Sequence, residues 1–213
     1  ILTINFENLS IINSKLKIYP SAKLLIVTKN RALSEIKILI DQGYRLFGEN
    51  KVQEAQFKFS DNFIRENKIE LHMIGPLQTN KVKNALNIFN TIQSIDRPNL
   101  AEKISNELIK NSRALTKNFY IQVNIGNEIQ KSGVSEVELK NFYDYCLSLN
   151  LNIVGLMCIP PNQKNPSEHF IKMNELKNNL NKNLLLSMGM SNDYLYALQH
   201  GSNLVRIGSI IFD

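Results

Sequence analysis

A single lysine, Lys29, follows the apolar run at residues 24–28, where a buried strand is expected to end and a loop to begin. Parallel sheets carry their reactive groups at the carboxyl ends of the strands. Apolar neighbours that half desolvate a lysine amine there would ease the loss of its proton, and the free amine could attack an aldehyde to form a Schiff base. A charge that simply ends a strand is the alternative interpretation, and the position of Lys29 alone does not exclude it.

Two short loops that combine glycine and serine could hold a phosphate group. Gly189 and Ser191 follow one apolar run, and Gly208 and Ser209 follow the last one. Glycine lets backbone amides approach an anion closely, and serine hydroxyls can donate hydrogen bonds to it. Two capped turns would have the same composition, so the pattern leaves both interpretations open.

Arg206 lies within the apolar stretch at residues 204–207. An unpaired guanidinium would be costly in such a stretch, so a fixed partner is expected. A heteroaromatic nitrogen that accepts a hydrogen bond would serve as that partner. The carboxylate of Asp193 would serve equally well, in a structural ion pair.

Three further polar residues lie in or directly after predicted strands. Asn50, which follows Glu49, could donate a hydrogen bond to a ligand hydroxyl, but a helix N-cap is the favoured interpretation of this pair. His72 lies within another apolar run. We predict that it is a core histidine with satisfied hydrogen bonds rather than a catalytic group.

The elements that must position these residues alternate regularly along the chain. Short apolar runs alternate with amphipathic stretches, which is typical of strand–helix units around a parallel sheet. Helical patterns connect the runs, as at residues 33–42, 98–110, 136–149 and 166–181. Eight strands with seven connecting helices predict an α/β fold, a (β/α)8 barrel of the TIM type that forms one domain over residues 1–213. The eight strands are predicted at residues 23–28, 44–48, 70–74, 88–94, 119–124, 152–159, 184–188 and 204–207.

The chain ends too soon after the eighth strand for a full eighth helix. An amphipathic segment at residues 4–16, part of a helical segment at 1–20 that precedes the barrel at 23–213, is expected to cover this gap. An open doubly wound sheet is the competing fold, but it usually has a glycine-rich loop after its first strand, which is missing here. In a barrel, the loops after the seventh and eighth strands frequently bind phosphate, which favours that role for the two glycine–serine loops.

The composition predicts a globular protein and argues against nucleic-acid-binding and membrane-spanning classes. The chain has 213 residues, 43% of them hydrophobic, which is enough for one well-filled core. Its net charge of +6 comes from lysines that alternate with acidic residues along helical faces, so no nucleic-acid partner is expected. No apolar stretch approaches the length of a membrane span, and we expect a cytoplasmic protein. Cys146 and Cys158 have no partners at metal-ligand spacing and are predicted to be buried free thiols.

Eight short motifs occur in order along the chain, and together they resemble one family. The motifs are LLIVTK at 24–29, FGENKVQE at 47–54, HMIGPLQTNK at 72–81, SIDR at 94–97, KSG at 131–133, GLM at 155–157, MGMS at 188–191 and RIGS at 206–209. This sequence resembles the pyridoxal phosphate homeostasis proteins, whose single-domain barrel is like the N-terminal domain of alanine racemase. The resemblance extends from about Leu24 to Phe212, nearly the whole chain.

The resemblance implies that the chain binds pyridoxal 5'-phosphate (PLP) and assigns roles to the matching positions. Lys29 would carry the internal aldimine, Asn50 would lie beside the ring hydroxyl of the cofactor, and Arg206 would face its pyridine nitrogen. No catalytic residue and no metal ligand is implied. The phosphate would be bound by Ser191, Gly208 and Ser209.

Two departures from the family pattern surround the lysine. Thr28 stands where the family usually has serine, and it keeps the hydroxyl. Residues 30–32 are Asn-Arg-Ala where Thr-Lys-Pro is common, and the loss of the proline is expected to loosen the loop behind Lys29.

The expected function is PLP homeostasis by a carrier rather than an enzyme. An arginine at the pyridine nitrogen keeps the ring unprotonated and therefore a weak electron sink. Racemases with this barrel also use a second domain, for which this sequence has no room. We expect a monomer that holds PLP and passes it to apo-enzymes or to amino-acid metabolism. An amino-acid racemase that uses the same cofactor is one alternative, and a cofactor-free Schiff-base aldolase acting on a phosphorylated sugar is another.

Overall fold

Eight parallel strands close into a barrel in the computed structural model of the protein, which describes residues 4–212. Each strand pairs with the next along the chain, and the first pairs with the eighth to close the ring. The (β/α)8 prediction is therefore confirmed. The strands are β1 (Lys23–Val27), β2 (Leu46–Glu49), β3 (Glu70–Met73), β4 (Thr91–Ile95), β5 (Asn118–Val123), β6 (Ile153–Cys158), β7 (Leu185–Ser187) and β8 (Leu204–Ile207).

Every connection between successive strands contains a helix, as the sequence pattern predicts. Two helices follow β2, and a 3-10 turn at Thr79–Lys81 precedes the helix after β3. The helices are α1 (Phe6–Leu16), α2 (Leu33–Asp41), α3 (Val52–Lys58), α4 (Asp61–Glu66), α5 (Val82–Ile88), α6 (Pro98–Lys110), α7 (Glu136–Ser148), α8 (Ser167–Leu180), α9 (Tyr194–Gln199) and α10 (Ser209–Phe212).

The fourth strand begins three residues later than predicted. Ile88 is the last residue of α5, and Ile88 and Phe89 are both buried at the helix–strand junction. An apolar run that continues from the end of a helix into a strand has no periodicity that marks the boundary. The predicted start at residue 88 is wrong for this reason.

Helix α1 packs against the short C-terminal helix α10 and against β1, where a full eighth helix is missing. The Asn5 N–H donates to the Ile211 carbonyl at 2.7 Å, and Asn8 Nδ2 donates to the Ile210 carbonyl at 2.7 Å. The apolar face of α1 is buried at Leu9, among others. The predicted covering segment is confirmed by these contacts.

The core lies inside the barrel and between the barrel and its helices. Phe47, Phe119 and Phe170 are among its largest fully buried side chains. Cys146 and Cys158 are buried free thiols, as predicted, and burial raises the pKa of each to about 12. None of the helices in residues 4–212 is long and apolar enough to cross a membrane.

Candidate functional site

A pocket of about 450 Å³ opens at the carboxyl ends of the strands, between the loops that follow β1, β5, β6, β7 and β8. Its volume lies in the range of small-molecule sites. The structure thus brings five of the six predicted site residues together, although they are up to 180 positions apart in the chain. Asn50 is not in the lining. The five residues in the lining are Lys29, Ser191, Arg206, Gly208 and Ser209.

Lys29 lies in a turn two residues beyond β1 and is exposed to solvent. The prediction that apolar neighbours half desolvate its amine is therefore wrong. Thr28 is the last buried residue of this segment, and the chain turns outward after it, with Asn30 at a φ of +59°. Lys29 lines the pocket without being enclosed by the protein. Only a molecule that fills the pocket can desolvate this amine.

A buried network holds the loop after β1 from behind. Lys58 Nζ donates to the Thr28 carbonyl at 2.6 Å, to Glu49 Oε1 at 2.9 Å and to Glu54 Oε1 at 2.6 Å. The Thr28 hydroxyl donates to Glu49 Oε1 at 2.7 Å, and the Asn30 N–H donates to Glu54 Oε1 at 2.5 Å. The backbone is therefore fixed on both sides of residue 29 by groups on β2 and α3. The prediction of a loose loop overlooked these contacts.

The two carboxylates of this network differ in environment. Glu49 is fully buried, and burial raises its pKa although hydrogen bonds from Thr28 and Lys58 oppose the shift. For Glu54, burial also favours the neutral form, but the hydrogen bonds from Lys58 and from the Asn30 N–H lower its pKa overall. Burial therefore outweighs the hydrogen bonds at Glu49, whereas the hydrogen bonds and nearby lysine charges outweigh burial at Glu54.

Arg206 is buried in β8 and held by two neutral groups. Its Nη1 donates to Ser187 Oγ at 2.9 Å, and its Nη2 donates to the Cys158 carbonyl at 2.8 Å. Asp193 interacts with Arg206 electrostatically but forms no hydrogen-bonded ion pair with it, so the predicted alternative of such a pair is wrong. The Asp193 carboxylate instead accepts from the Met190 N–H. Burial lowers the pKa of the Arg206 guanidinium. Its remaining N–H donors are left for the pocket that it lines.

The loops after β7 and β8 meet at one end of the pocket. Ser209 Oγ lies 3.0 Å from Ser191 Oγ. Within residues 4–212, the backbone N–H groups of Ser191, Asn192, Gly208 and Ser209 have no hydrogen-bond acceptor. Two hydroxyls and four free amides in adjacent loops form a set of donors that suits the oxygens of a phosphate.

Two glycines allow these loops to approach each other. Gly189 has a φ of +94°, and a Cβ there would lie 2.6 Å from Ala197 Cβ. Gly208 lies against Val27 of β1, and a Cβ on this glycine would lie 3.1 Å from the Val27 carbonyl oxygen. A side chain at Gly189 would clash and strain the backbone, so glycine is required for the loop to adopt this conformation.

Asn50 follows β2 and is not part of the pocket lining. The favoured interpretation, a helix N-cap formed by Glu49 and Asn50, is wrong because α3 begins at Val52 with Lys51 in the N-cap position. The half-buried Asn50 side chain forms no hydrogen bond with any described residue, and Gly75 packs closely against its backbone. A role in binding a ligand hydroxyl stays a prediction.

His72 is a satisfied core histidine, as predicted. It is 4% exposed, its Nδ1 lies 2.7 Å from Gln93 Nε2, and its Nε2 lies 2.9 Å from Glu70 Oε1. The hydrogen bond with His72 lowers the pKa of the Glu70 carboxyl. Both ring nitrogens are therefore occupied.

Lys131 lines the pocket, and sequence reasoning assigned it no role. Its Nζ donates to the Pro160 carbonyl at 3.3 Å and forms an ion pair with Glu128. The KSG motif at 131–133 was the available signal, but nothing in its pattern indicates the direction of the side chain. Two amines, those of Lys29 and Lys131, thus line the pocket.

Known proteins resemble the chain over nearly its whole length. The model of the alanine racemase N-terminal domain matches residues 6–213. A pyridoxal phosphate homeostasis protein of Aquifex aeolicus is 38% identical over 200 residues, which cover 90% of this chain and 86% of that protein. One of Vibrio alginolyticus is 36% identical over 203 residues, with the same coverage. PipY of Synechococcus elongatus PCC7942, solved with PLP bound, is 29% identical, with a TM-score of 0.83 and coverage of 97% of this chain and 99% of PipY. The chain belongs to the pyridoxal phosphate homeostasis protein family, which is built on the barrel of the alanine racemase N-terminal domain.

Proposed function

We propose that this protein binds PLP reversibly in the pocket, tethers it covalently through Lys29 and serves as an intracellular carrier of the cofactor. One observation carries the proposal: an exposed amine, a buried guanidinium without a hydrogen-bonded carboxylate partner among residues 4–212 and a set of free phosphate donors line the same pocket. The relatives named as homeostasis proteins, and PLP in the PipY structure, support it.

The residues present fit each part of the cofactor. The phosphate would accept hydrogen bonds from the hydroxyls of Ser191 and Ser209 and from the free amides of their loops. Arg206 would donate to the ring nitrogen through an N–H that no protein group occupies. Asn50 would lie near the ring hydroxyl.

Bound PLP supplies an aldehyde that a neutral amine can attack. Lys29 would supply that amine, its condensation with the aldehyde would release water, and hydrolysis would reverse the step. Because Lys29 is exposed, water and incoming amines can reach the resulting bond from solution. An accessible and reversible bond suits a carrier.

The environment of Arg206 supports a carrier over a racemase. A guanidinium does not give up its proton, so it leaves the ring nitrogen unprotonated and the ring a weak electron sink. No tyrosine or histidine of the described chain lines the pocket to serve as a second base. We infer a monomeric cytoplasmic protein that releases PLP to apo-enzymes or to free amino acids.

Absorbance spectroscopy tests the proposal. Protein reconstituted with PLP should show a visible band that borohydride abolishes, and peptide mass spectrometry should locate the reduced adduct on Lys29. Lys29→Ala should remove both signals, whereas Lys131→Ala, which changes the other amine of the pocket, should keep them. A wild-type protein without the band refutes the proposal.

Two further results would support a different function for the protein. Exchange of a substrate's α-hydrogen in deuterated water at catalytic rates would establish a racemase-type enzyme. Borohydride trapping with a phosphorylated sugar, in the absence of PLP, would establish the aldolase alternative.

A further inference from the structure

A continuous line of hydrogen bonds crosses the interior of the barrel from the pocket to the opposite end. Arg206 Nη1 donates to Ser187 Oγ at 2.9 Å, Ser187 Oγ to Gln93 Oε1 at 2.6 Å, and Gln93 Nε2 lies 2.7 Å from His72 Nδ1. His72 Nε2 then lies 2.9 Å from Glu70 Oε1. We call this line the interior chain.

The interior chain joins strands that are not neighbours. Ser187 is on β7 and Gln93 is on β4, three strands away in a ring of eight, so the hydrogen bond between them passes through the barrel interior. Both side chains are fully buried. The Glu70 carboxylate at the far end is half exposed, at the start of β3. Polar groups in such an interior are costly unless all of them are satisfied, so four successive bonds require an explanation.

The two ends of the interior chain, together with the hydrogen bond that Ser187 donates to Gln93 Oε1, set the direction of its other bonds. The Arg206 guanidinium only donates, and the Glu70 carboxylate only accepts. Ser187 therefore accepts from Arg206 and gives its single hydrogen to Gln93 Oε1, which turns the Gln93 NH2 group toward His72. His72 Nδ1 must accept, and the ring hydrogen must lie on Nε2. The arrangement requires a neutral His72 in the Nε2–H tautomer.

The interior chain fixes the plane of the guanidinium. Ser187 Oγ holds Nη1, and the Cys158 carbonyl holds Nη2, so Arg206 cannot rotate without leaving a buried group unsatisfied. Ser187 is itself held by Gln93, and Gln93 by His72. The orientation of Arg206 thus depends on residues that do not touch the pocket.

We propose that Ser187, Gln93 and His72 are positioning residues that hold Arg206 in the pose in which it meets the ring nitrogen of PLP. This inference rests on the proposed function and extends it to three residues outside the pocket. Removal of any of the three frees the guanidinium to turn, which weakens PLP binding and shifts the absorbance of the bound cofactor.

Two truncations and one matched control test the proposal. Ser187→Ala should raise the dissociation constant for PLP about tenfold, because it removes a hydrogen bond to the charged Arg206. Gln93→Leu should raise it by a similar factor, because it removes the acceptor that holds Ser187 in place. Ser94→Ala is the control, because Ser94 is fully buried on the same strand as Gln93 and its hydroxyl has no partner. It should change the dissociation constant less than about twofold. The absorbance maximum of bound PLP should move in the two truncations and stay in place in the control.

Two substitutions of His72 distinguish an effect on the position of Arg206 from an effect on folding. His72→Asn keeps an amide oxygen where Nδ1 accepts from Gln93, and it should retain affinity and absorbance maximum near those of the wild type. His72→Leu should lose both, even in samples whose cofactor-free form unfolds at the same temperature as His72→Asn. If Ser187→Ala or Gln93→Leu fails to fold, the two His72 variants and the NMR measurement described next still test the proposal.

Nitrogen-15 NMR of the cofactor-free protein tests the direction of the interior chain without any cofactor. His72 should show a protonated Nε2 and an unprotonated Nδ1 at neutral pH. The opposite tautomer, a doubly protonated ring, or truncations that bind PLP with wild-type affinity and absorbance would overturn the proposal. A wild-type protein with no adduct on Lys29 would instead refute the proposed function, so the two failures are distinguishable.

Discussion

Replacement of Lys58 by methionine tests the buried network behind the loop that carries Lys29. Methionine fills a similar volume but removes the charge and all three hydrogen bonds from Nζ. Glu49, which is 0% exposed, then keeps a carboxylate in the interior with only Thr28 as a donor. Loss of one partner of a buried ion pair costs about 3–5 kcal/mol, so Lys58→Met should lower the free energy of unfolding by about that amount at pH 7.

Urea unfolding measures this loss, and a surface pair on α7 provides the control. Lys140 and Asp144 form an ion pair whose side chains are 63% and 53% exposed, so Lys140→Met should cost less than about 0.5 kcal/mol. The double variant Glu49→Gln/Lys58→Met removes both charges and should recover most of the loss. A loss below about 1 kcal/mol in Lys58→Met alone would refute the view that this network stabilises the fold.

The pH dependence of the same variant checks the cause of the loss. Burial raises the pKa of Glu49 above its ordinary value of 4.5, so folding makes its carboxyl harder to ionise. Its contribution to stability is present below pH 4.5 and is lost as the pH rises through the folded-state pKa. Glu54 has a lowered pKa, so its contribution in the wild type is present above pH 4.5 and is lost as the pH falls through its folded-state pKa. The penalty of Lys58→Met relative to wild type should therefore grow between about pH 4.5 and pH 7, and a constant penalty would contradict the electrostatic account.

Two further outcomes follow from buried groups elsewhere. Burial raises the pKa of Cys146 and Cys158 to about 12, so at pH 8 a thiol reagent should modify the folded protein at least about a hundredfold more slowly than the protein in urea. Gly189→Ala places a Cβ 2.6 Å from Ala197 Cβ at a φ of +94°, and it should cost about 2 kcal/mol or more in thermal unfolding and weaken phosphate binding. Equal thiol rates in the two states, or wild-type stability in Gly189→Ala, would contradict these expectations.

The fold could be predicted from the sequence because its signals are local. Each strand of a barrel with helices around it is buried on both faces, so it reads as a short apolar run, and the intervening helices show their own periodicity. The boundary at Ile88 was misplaced because an apolar run extended from α5 toward β4. Such a run carries no information about where one element ends.

The pocket could be predicted in part because the fold fixes where strand ends meet. Lys29 and Arg206 share a lining since the first and eighth strands are neighbours in a closed barrel. The exposure of Lys29 and the partners of Arg206 could not be predicted, because they depend on side-chain directions in loops and in the barrel interior. Ser187 and Gln93 are 94 residues apart, and no sequence periodicity relates residues at that distance.

The hydrogen bonds of Lys58 and Glu54 restrict the loop after β1, where the family commonly uses a proline to do so. A proline after the lysine would restrict the backbone by its ring, at every pH and salt concentration. In this chain the Asn30 N–H and the Thr28 carbonyl are instead held by Glu54 and Lys58, which act through charge. A fixed backbone with an exposed amine gives Lys29 a constant position relative to the loops after β7 and β8, and amines from solution can still reach it. That combination supports the proposed carrier function, because a catalytic lysine that must exclude water would be enclosed.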